Sequence, residues 1–168
     1  YGRPLRSCYE ALYPDGDLDH CIEVHRAFQA GLMHLIRPFP GMTETLAGLR
    51  DAGVGTAVVT SRSIRSTRVT LERLGLWDRL DTVVTPEDTQ RHKPDPEPLL
   101  LAASRLKAQP AECLMVGDTE NDLAAGRAAG MATCGVTYGF LGEGILAGRP
   151  TYRIACPEGL LNVVGVAR

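Results

Sequence analysis

The chain has no long apolar run. Its longest uninterrupted apolar stretches, at 56–59 and 99–103, fall far short of the ~20 residues a helix needs to cross a bilayer. It lacks an opening Met and a basic-then-apolar leader, so it begins neither like a signal peptide nor like a fresh translation start, and an incomplete N-terminus is expected. It also lacks an excess of positive charge: 18 Lys and Arg face 20 Asp and Glu, a net charge of -2. Nucleic acid and anionic membrane therefore have no electrostatic attraction as partners, and a small-molecule role is expected. The five cysteines (Cys8, Cys21, Cys113, Cys134, Cys156) form no Cys-x-x-Cys pair and are odd in number, which points to free thiols and a cytoplasmic location. His20, His25, His34 and His92 have neither the helical spacing of a zinc pair nor a cysteine at ligand distance in sequence. No Gly-x-Ser-x-Gly elbow and no Gly-Lys-Ser/Thr phosphate loop occurs, which weighs against a serine hydrolase and a nucleotide kinase.

What is present reads as a globular α/β chain: 44% of residues are hydrophobic and 23% charged, enough for one core and a small appendage. Residues 18–35 carry Leu18, Ile22, Val24, Phe28, Leu32 and Leu35 mostly three or four apart, one amphipathic helical face. Arg37-Pro38-Phe39-Pro40-Gly41 ends that helix, because two prolines and a glycine cannot continue it. A domain junction is placed there, dividing 1–37 from 38–168. Beyond it, short apolar strands at 56–59, 82–84, 114–116, 133–136 and 152–155 alternate with helices at 43–52, 64–74, 96–107, 121–129 and 159–166. This alternation predicts a parallel sheet covered by crossover helices. Ligands of such sheets bind beyond the carboxyl ends of the strands.

Three of those ends carry chemistry. In Val116-Gly117-Asp118-Thr119-Glu120-Asn121-Asp122, two carboxylates four residues apart follow a strand and open a helix. Hard oxygens of this kind suit magnesium; the plainer reading is that Asp118 or Thr119 only caps the helix. Thr60-Ser61-Arg62-Ser63 follows the strand at 56–59, where a hydroxyl and backbone N–H groups can accept an anion at a helix N-terminus. The competing role is capping by Ser61 or Ser63. Lys93 sits in Arg91-His92-Lys93-Pro94-Asp95-Pro96-Glu97-Pro98, a proline-stiffened loop that could hold an ammonium against a phosphoryl oxygen.

The order Thr60, Lys93-Pro94, Gly117-Asp118-x-x-x-Asp122 resembles motifs two, three and four of the haloacid dehalogenase superfamily. Residues 92–98, Val116-Gly117-Asp118 and Gly135-Val136-Thr137-Tyr138-Gly139 look like its phosphoglycolate phosphatase and pyrophosphatase branch. The resemblance implies a Rossmannoid three-layer α/β core with a parallel sheet, at 38–168, and the remnant of a helical cap at 1–37. It implies that Thr60, with Ser61, binds the transferred phosphoryl group, that Lys93 offsets its charge, and that Asp118 and Asp122 position Mg2+ with Asn121 in support. Gly2, Arg3 and Arg6 fall in the cap region that faces substrate in similar proteins, and Arg3 is the cap residue assigned to substrate binding.

One motif of that family is absent. Its members open with a strand ending in Asp-x-Asp-x-Thr, whose first aspartate attacks phosphorus. Here Asp15-Gly16-Asp17 only imitates it, with no apolar strand before it. The family's missing strand lies between those ending at Thr60 and Asp118, so unpaired edges, exposed apolar faces and poor stability are expected. The implied activity is magnesium-dependent hydrolysis of a small phosphate ester through an aspartyl-phosphate, with phosphoglycolate first, pyrophosphate second and sugar phosphates third. The chain by itself is expected to be inactive, and a non-catalytic phosphate- or metal-binding module is the alternative. Dehalogenation is disfavoured, since two carboxylates beside a bound anion need a cation. A monomer or homodimer acting on a small phosphorylated substrate is expected.

Overall fold

Two hydrogen-bonded sheets, rather than one, organise the computed structural model, which describes residues 5–166. Helices α1 (Leu5–Leu12) and α2 (Leu18–Leu32) come first, followed by a 3-10 turn at Met33–Leu35. Then come α3 (Met42–Asp51), β1 (Ala57–Val59), α4 (Ile64–Arg73), β2 (Thr82–Val84), α5 (Glu97–Arg105), β3 (Leu114–Gly117), α6 (Glu120–Ala128), β4 (Ala132–Val136), β5 (Tyr152–Ile154) and α7 (Gly159–Val163). All five strands and the five later helices stand where the apolar pattern puts them, within two or three residues at most ends. The exception is α1, not set out as a helix from the sequence although Leu5, Cys8, Tyr9 and Leu12 stand three or four apart.

β1 pairs in parallel with β2, with Val58 opposite Val83. β3, β4 and β5 form a second parallel set in which Val116 lies opposite Cys134 and Cys134 opposite Tyr152. No ladder joins β1 to β3, so the sheet is divided at that point, between the two strands where unpaired edges are expected. Strand alternation sorts the core into two layers. Met115 packs with Leu99 of α5, Ala125 of α6 and Ala129 just past its end, while its neighbours Leu114 and Val116 face the other way, toward Cys134, Ile154, Leu160 and Val163. Val59 of β1 packs against the first group, so the two sheets share a helical layer although their backbones are not bonded.

α6 approaches the sheet closely because position 126 has no side chain: a Cβ there would lie 2.8 Å from both Met115 and Thr133. Its chain then turns into β4 through Gly130 at φ +75, a left-handed closure in which Met131 N–H returns to the Gly126 carbonyl.

α1 and α2 pair with each other through Tyr9 and His25, whose rings meet edge-on and whose Oη and Nδ1 lie 3.1 Å apart. The amphipathic face read in 18–35 is there, but little of it is covered. Ile22 is buried, whereas Val24 is 53% and Phe28 69% exposed. Periodicity specifies which residues share a face; it does not supply the element that packs on it.

Candidate active site

Asp118 lies just past the end of β3, and Asp122 in the first turn of α6. Both carboxylates are seated against glycines. A Cβ on Gly117 would lie 2.2 Å from the Asp122 Cβ, and a Cβ on Gly139 would lie 2.2 Å from the Asp118 Cβ. Neither close approach survives a larger residue without displacement. This explains why Gly117 precedes the first aspartate and why Gly139 follows Val136-Thr137-Tyr138, a role that spacing alone does not disclose.

Asp122 is buried and fully engaged. Its Oδ2 accepts hydrogen bonds from Thr119 N (3.1 Å) and Thr119 Oγ1 (2.7 Å), while Thr119 Oγ1 accepts from Asp122 N (3.4 Å). Thr119 and Asp122 thus form a reciprocal capping box on α6. Capping and site formation are therefore not alternatives at this segment. Thr119 rather than Asp118 is the cap, and the Thr-x-x-Asp spacing was the signal for it. The other oxygen, Oδ1, accepts a hydrogen bond from Lys93 Nζ at 2.7 Å.

Lys93 is held in the loop before α5, beside the cis Lys93–Pro94 peptide, and its side chain is only 10% exposed. Besides Asp122, its ammonium donates to the Val59 carbonyl at 2.8 Å. Hydrogen bonding of β1 to β2 runs through Thr60 N–H to Val84 O, so Val59 O, one residue earlier, points to the opposite edge of β1. Lys93 therefore joins the free edge of β1 to the start of α6, bridging the place where the sheet is divided.

Asp118 accepts a hydrogen bond from Phe140 N on Oδ2 at 2.8 Å, and its Oδ1 has no hydrogen bond among the described residues. The loop that delivers Phe140 is anchored by Tyr138, which meets Phe39 edge-on at 4.8 Å between ring centres. Burial, with smaller contributions from neighbouring thiols and carboxylates, raises the Tyr138 phenol to about 12.

Thr60 directly follows β1, and its Oγ1 accepts from Arg62 N at 3.1 Å. α4 begins at Ile64, is capped by Ser63, and has its first N–H bonded to both Glu87 oxygens at 3.2 Å. Ser63 and Glu87 thus take N–H groups at the start of α4, the capping alternative, and Thr60 and Ser61 lie in the turn before it. Asp17 accepts from His20 N and caps α2. Arg6 pairs with Asp19. Gly2 and Arg3 lie outside the described residues.

No cluster of three or more His, Cys, Asp or Glu side chains surrounds an ion position among the described residues. Hydrated magnesium needs only one or two carboxylates. Asp118, with an unbonded oxygen, fits it directly. Asp122, with both oxygens hydrogen-bonded, fits as a nearby fixed negative charge.

The sequence model described as "Haloacid dehalogenase-like hydrolase" matches residues 1–136. The pyrophosphatase PpaX of Bacillus velezensis is 35% identical over 167 residues, covering 98% of this chain and 77% of that protein. The phosphoglycolate phosphatase of Salmonella choleraesuis is 40% identical over 129 residues, 76% of this chain and 51% of that enzyme. Among solved structures, a hydrolase from Pseudomonas syringae superposes with a TM-score of 0.80 at 26% identity, covering 98% of this chain and 77% of its own.

Proposed function

Because the chain belongs to the haloacid dehalogenase-like hydrolase family, we propose that it carries the phosphoryl-binding and metal residues of a magnesium-dependent phosphatase for small phosphate esters. The observation that carries this reading is the buried Lys93–Asp122 pair beside Asp118, at the carboxyl ends of β1 and β3.

Two of the three ammonium hydrogens of Lys93 are placed on Val59 O and Asp122 Oδ1. The third addresses a phosphoryl oxygen, where a fixed positive charge in a poorly hydrated site lowers the cost of developing negative charge. The Thr60 hydroxyl donates to a second oxygen, and Ser61 extends the same turn. Asp118 would hold the magnesium directly, with Asp122 as the fixed negative charge beside it and Asn121 in support. When bound, the ion neutralises the phosphate and orients it for in-line displacement.

The attacking group in this reading is an aspartate on a strand that fills the division between β1 and β3, contributed from outside residues 1–168. It forms an aspartyl-phosphate that water then hydrolyses. Residues 1–37, with Arg3, act as part of a cap over the core at 38–168. The protein works in the cytoplasm, as a monomer or homodimer, without nucleic acid or membrane. Pyrophosphate hydrolysis is the second reading, favoured by the similarity to PpaX along nearly the whole chain.

Magnesium-dependent phosphate release from a panel of esters tests this. In a protein that also carries the additional strand, Asp118→Asn and Lys93→Met should each lower kcat by about 10²–10³-fold. The 168-residue chain alone should release none. Release by that chain which Asp118→Asn abolishes would move the attack to one of its own residues. Release indifferent to both magnesium and Asp118→Asn would sink the reading.

A further inference from the structure

We propose that Tyr138 is a positioning residue for Asp118: braced by Phe39, it holds the 137–140 loop where the loop aims the Asp118 carboxylate, and so raises affinity for magnesium. The proposal rests on the phosphatase reading above and concerns this chain's own residues around the proposed metal site.

The loop and the carboxylate are in direct contact. The Phe140 N–H donates to Asp118 Oδ2 at 2.8 Å, and the loop backbone passes so close that a Cβ on Gly139 would lie 2.2 Å from the Asp118 Cβ. With Oδ2 held, rotation of the carboxylate is restricted and Oδ1 is presented in one place. Groups that orient a metal ligand in advance raise its affinity, because less ordering remains to be done on binding. A displacement of the loop backbone is therefore felt at Asp118 both as a lost hydrogen bond and as a changed contact.

The loop is held unequally along its length. At its start, Thr137 N–H donates to Ile154 O at 3.0 Å. At its end, Gly139 has no side chain to anchor and Phe140 is 57% exposed. Tyr138, between them, packs against the core cluster of Cys134, Val136 and Ile154, and its ring meets Phe39 at 4.8 Å between centres and 67° between planes. Phe39 is itself well placed to brace it. Pro38 and Pro40 flank it and restrict its backbone. Its carbonyl accepts from Met42 N at 3.1 Å, where the chain enters α3. At 47% exposure the Phe39 ring adds little to the core, so its contact with Tyr138 can be removed without opening a cavity. An edge-on aromatic pair changes an equilibrium by about two- to tenfold, and that is the scale of effect expected at the metal.

Magnesium titration and amide hydrogen exchange of the 168-residue chain, both followed by NMR, test the proposal without turnover. Phe39→Ala should weaken magnesium binding about two- to tenfold and speed exchange of the Phe140 amide relative to the amides of β4. Tyr138→Leu, apolar but without the ring, should do the same. Phe39→Tyr, which keeps the ring, should leave both readouts at native values. Leu160→Ala loosens the same core cluster from α7; it should lower stability to urea and leave magnesium affinity and the relative Phe140 exchange unchanged. If either readout stays native in Phe39→Ala, or if Leu160→Ala moves both as far, the proposal is overturned and the phosphatase reading stands. If the native chain binds no magnesium, the metal reading falls and this proposal with it.

Discussion

The two halves of the divided sheet differ in how they are supported. In the three-stranded set β4 is enclosed on both faces, with four of its five residues buried, and its neighbours each bury one side chain against it or the helices, Met115 of β3 (9% exposed) and Ile154 of β5 (6%). All three residues of β1 are only half-buried, and of β2 only Val84 is buried. The three-stranded set holds itself together by packing. The β1–β2 pair depends on polar ties at its ends, namely Lys93 to Val59 O, Arg105 Nη1 to Val83 O at 2.9 Å, and Arg105 to Asp88. The residues assigned to chemistry sit along the division between the halves, where packing is thinnest and backbone groups have no sheet partner. A site that must admit a ligand and a further strand cannot at the same time be the best-packed part of the molecule.

The largest expected effect is on the tie itself. Asp122→Ala strands a buried ammonium and removes the α6 capping box, so a loss of about 3–5 kcal/mol is expected by urea denaturation. A double variant replacing Lys93 with Met and Asp122 with Leu should lose less than the two single changes combined, since it leaves no buried charge unpaired.

Leu123→Ala, at a fully buried position in α6, probes the well-packed half alone and should cost about 2–5 kcal/mol. Native-state hydrogen exchange then sharpens the contrast: amides of β4 should be protected well beyond those of β1. Equal protection would show that the two halves unfold as one unit and that the division has no energetic meaning.

Gly117→Ala forces a Cβ to within 2.2 Å of the Asp122 Cβ. An overpacking cost of about 1–3 kcal/mol is expected, together with weakened magnesium binding by calorimetry. Unchanged stability and binding would remove the glycine from the site.

The smallest effect concerns the β1–β2 half at low pH. The Arg105 guanidinium, followed by the Thr85 backbone N–H, holds the Asp88 carboxyl below the ordinary carboxylate range. A lowered folded value means that the contribution is fully present above the unfolded pKa, about 4, and is lost as pH falls through the folded one. For this partly exposed pair it amounts to at most about 1 kcal/mol. Asp88→Asn should flatten the stability profile below pH ~4 and leave β3–β5 exchange unchanged.

Much of the fold was legible because its signals are local. β2 at Thr82–Val84 is a short β-branched run between turns, and α2 shows its period over four turns. α1 was not read, because the spacing of Leu5, Cys8, Tyr9 and Leu12 lasts barely two turns, too short a window for a period to stand out. At the site, the residue types and their order marked out Thr60, Lys93, Asp118 and Asp122. Nothing in the order told that Lys93 reaches Val59 O, 34 positions away, or that Gly139 makes room for Asp118.

By itself, then, the sequence determined the α/β alternation, the strand ends and the charged groups available at them, because periodicity, turn chemistry and capping act over a few residues. Tertiary structure alone decided which of those groups meet, and that Lys93 bridges the division between β1 and β3. Those are properties of distances between segments far apart in the chain, set by packing and by the absence of a Cβ at two glycines, and no local pattern encodes them.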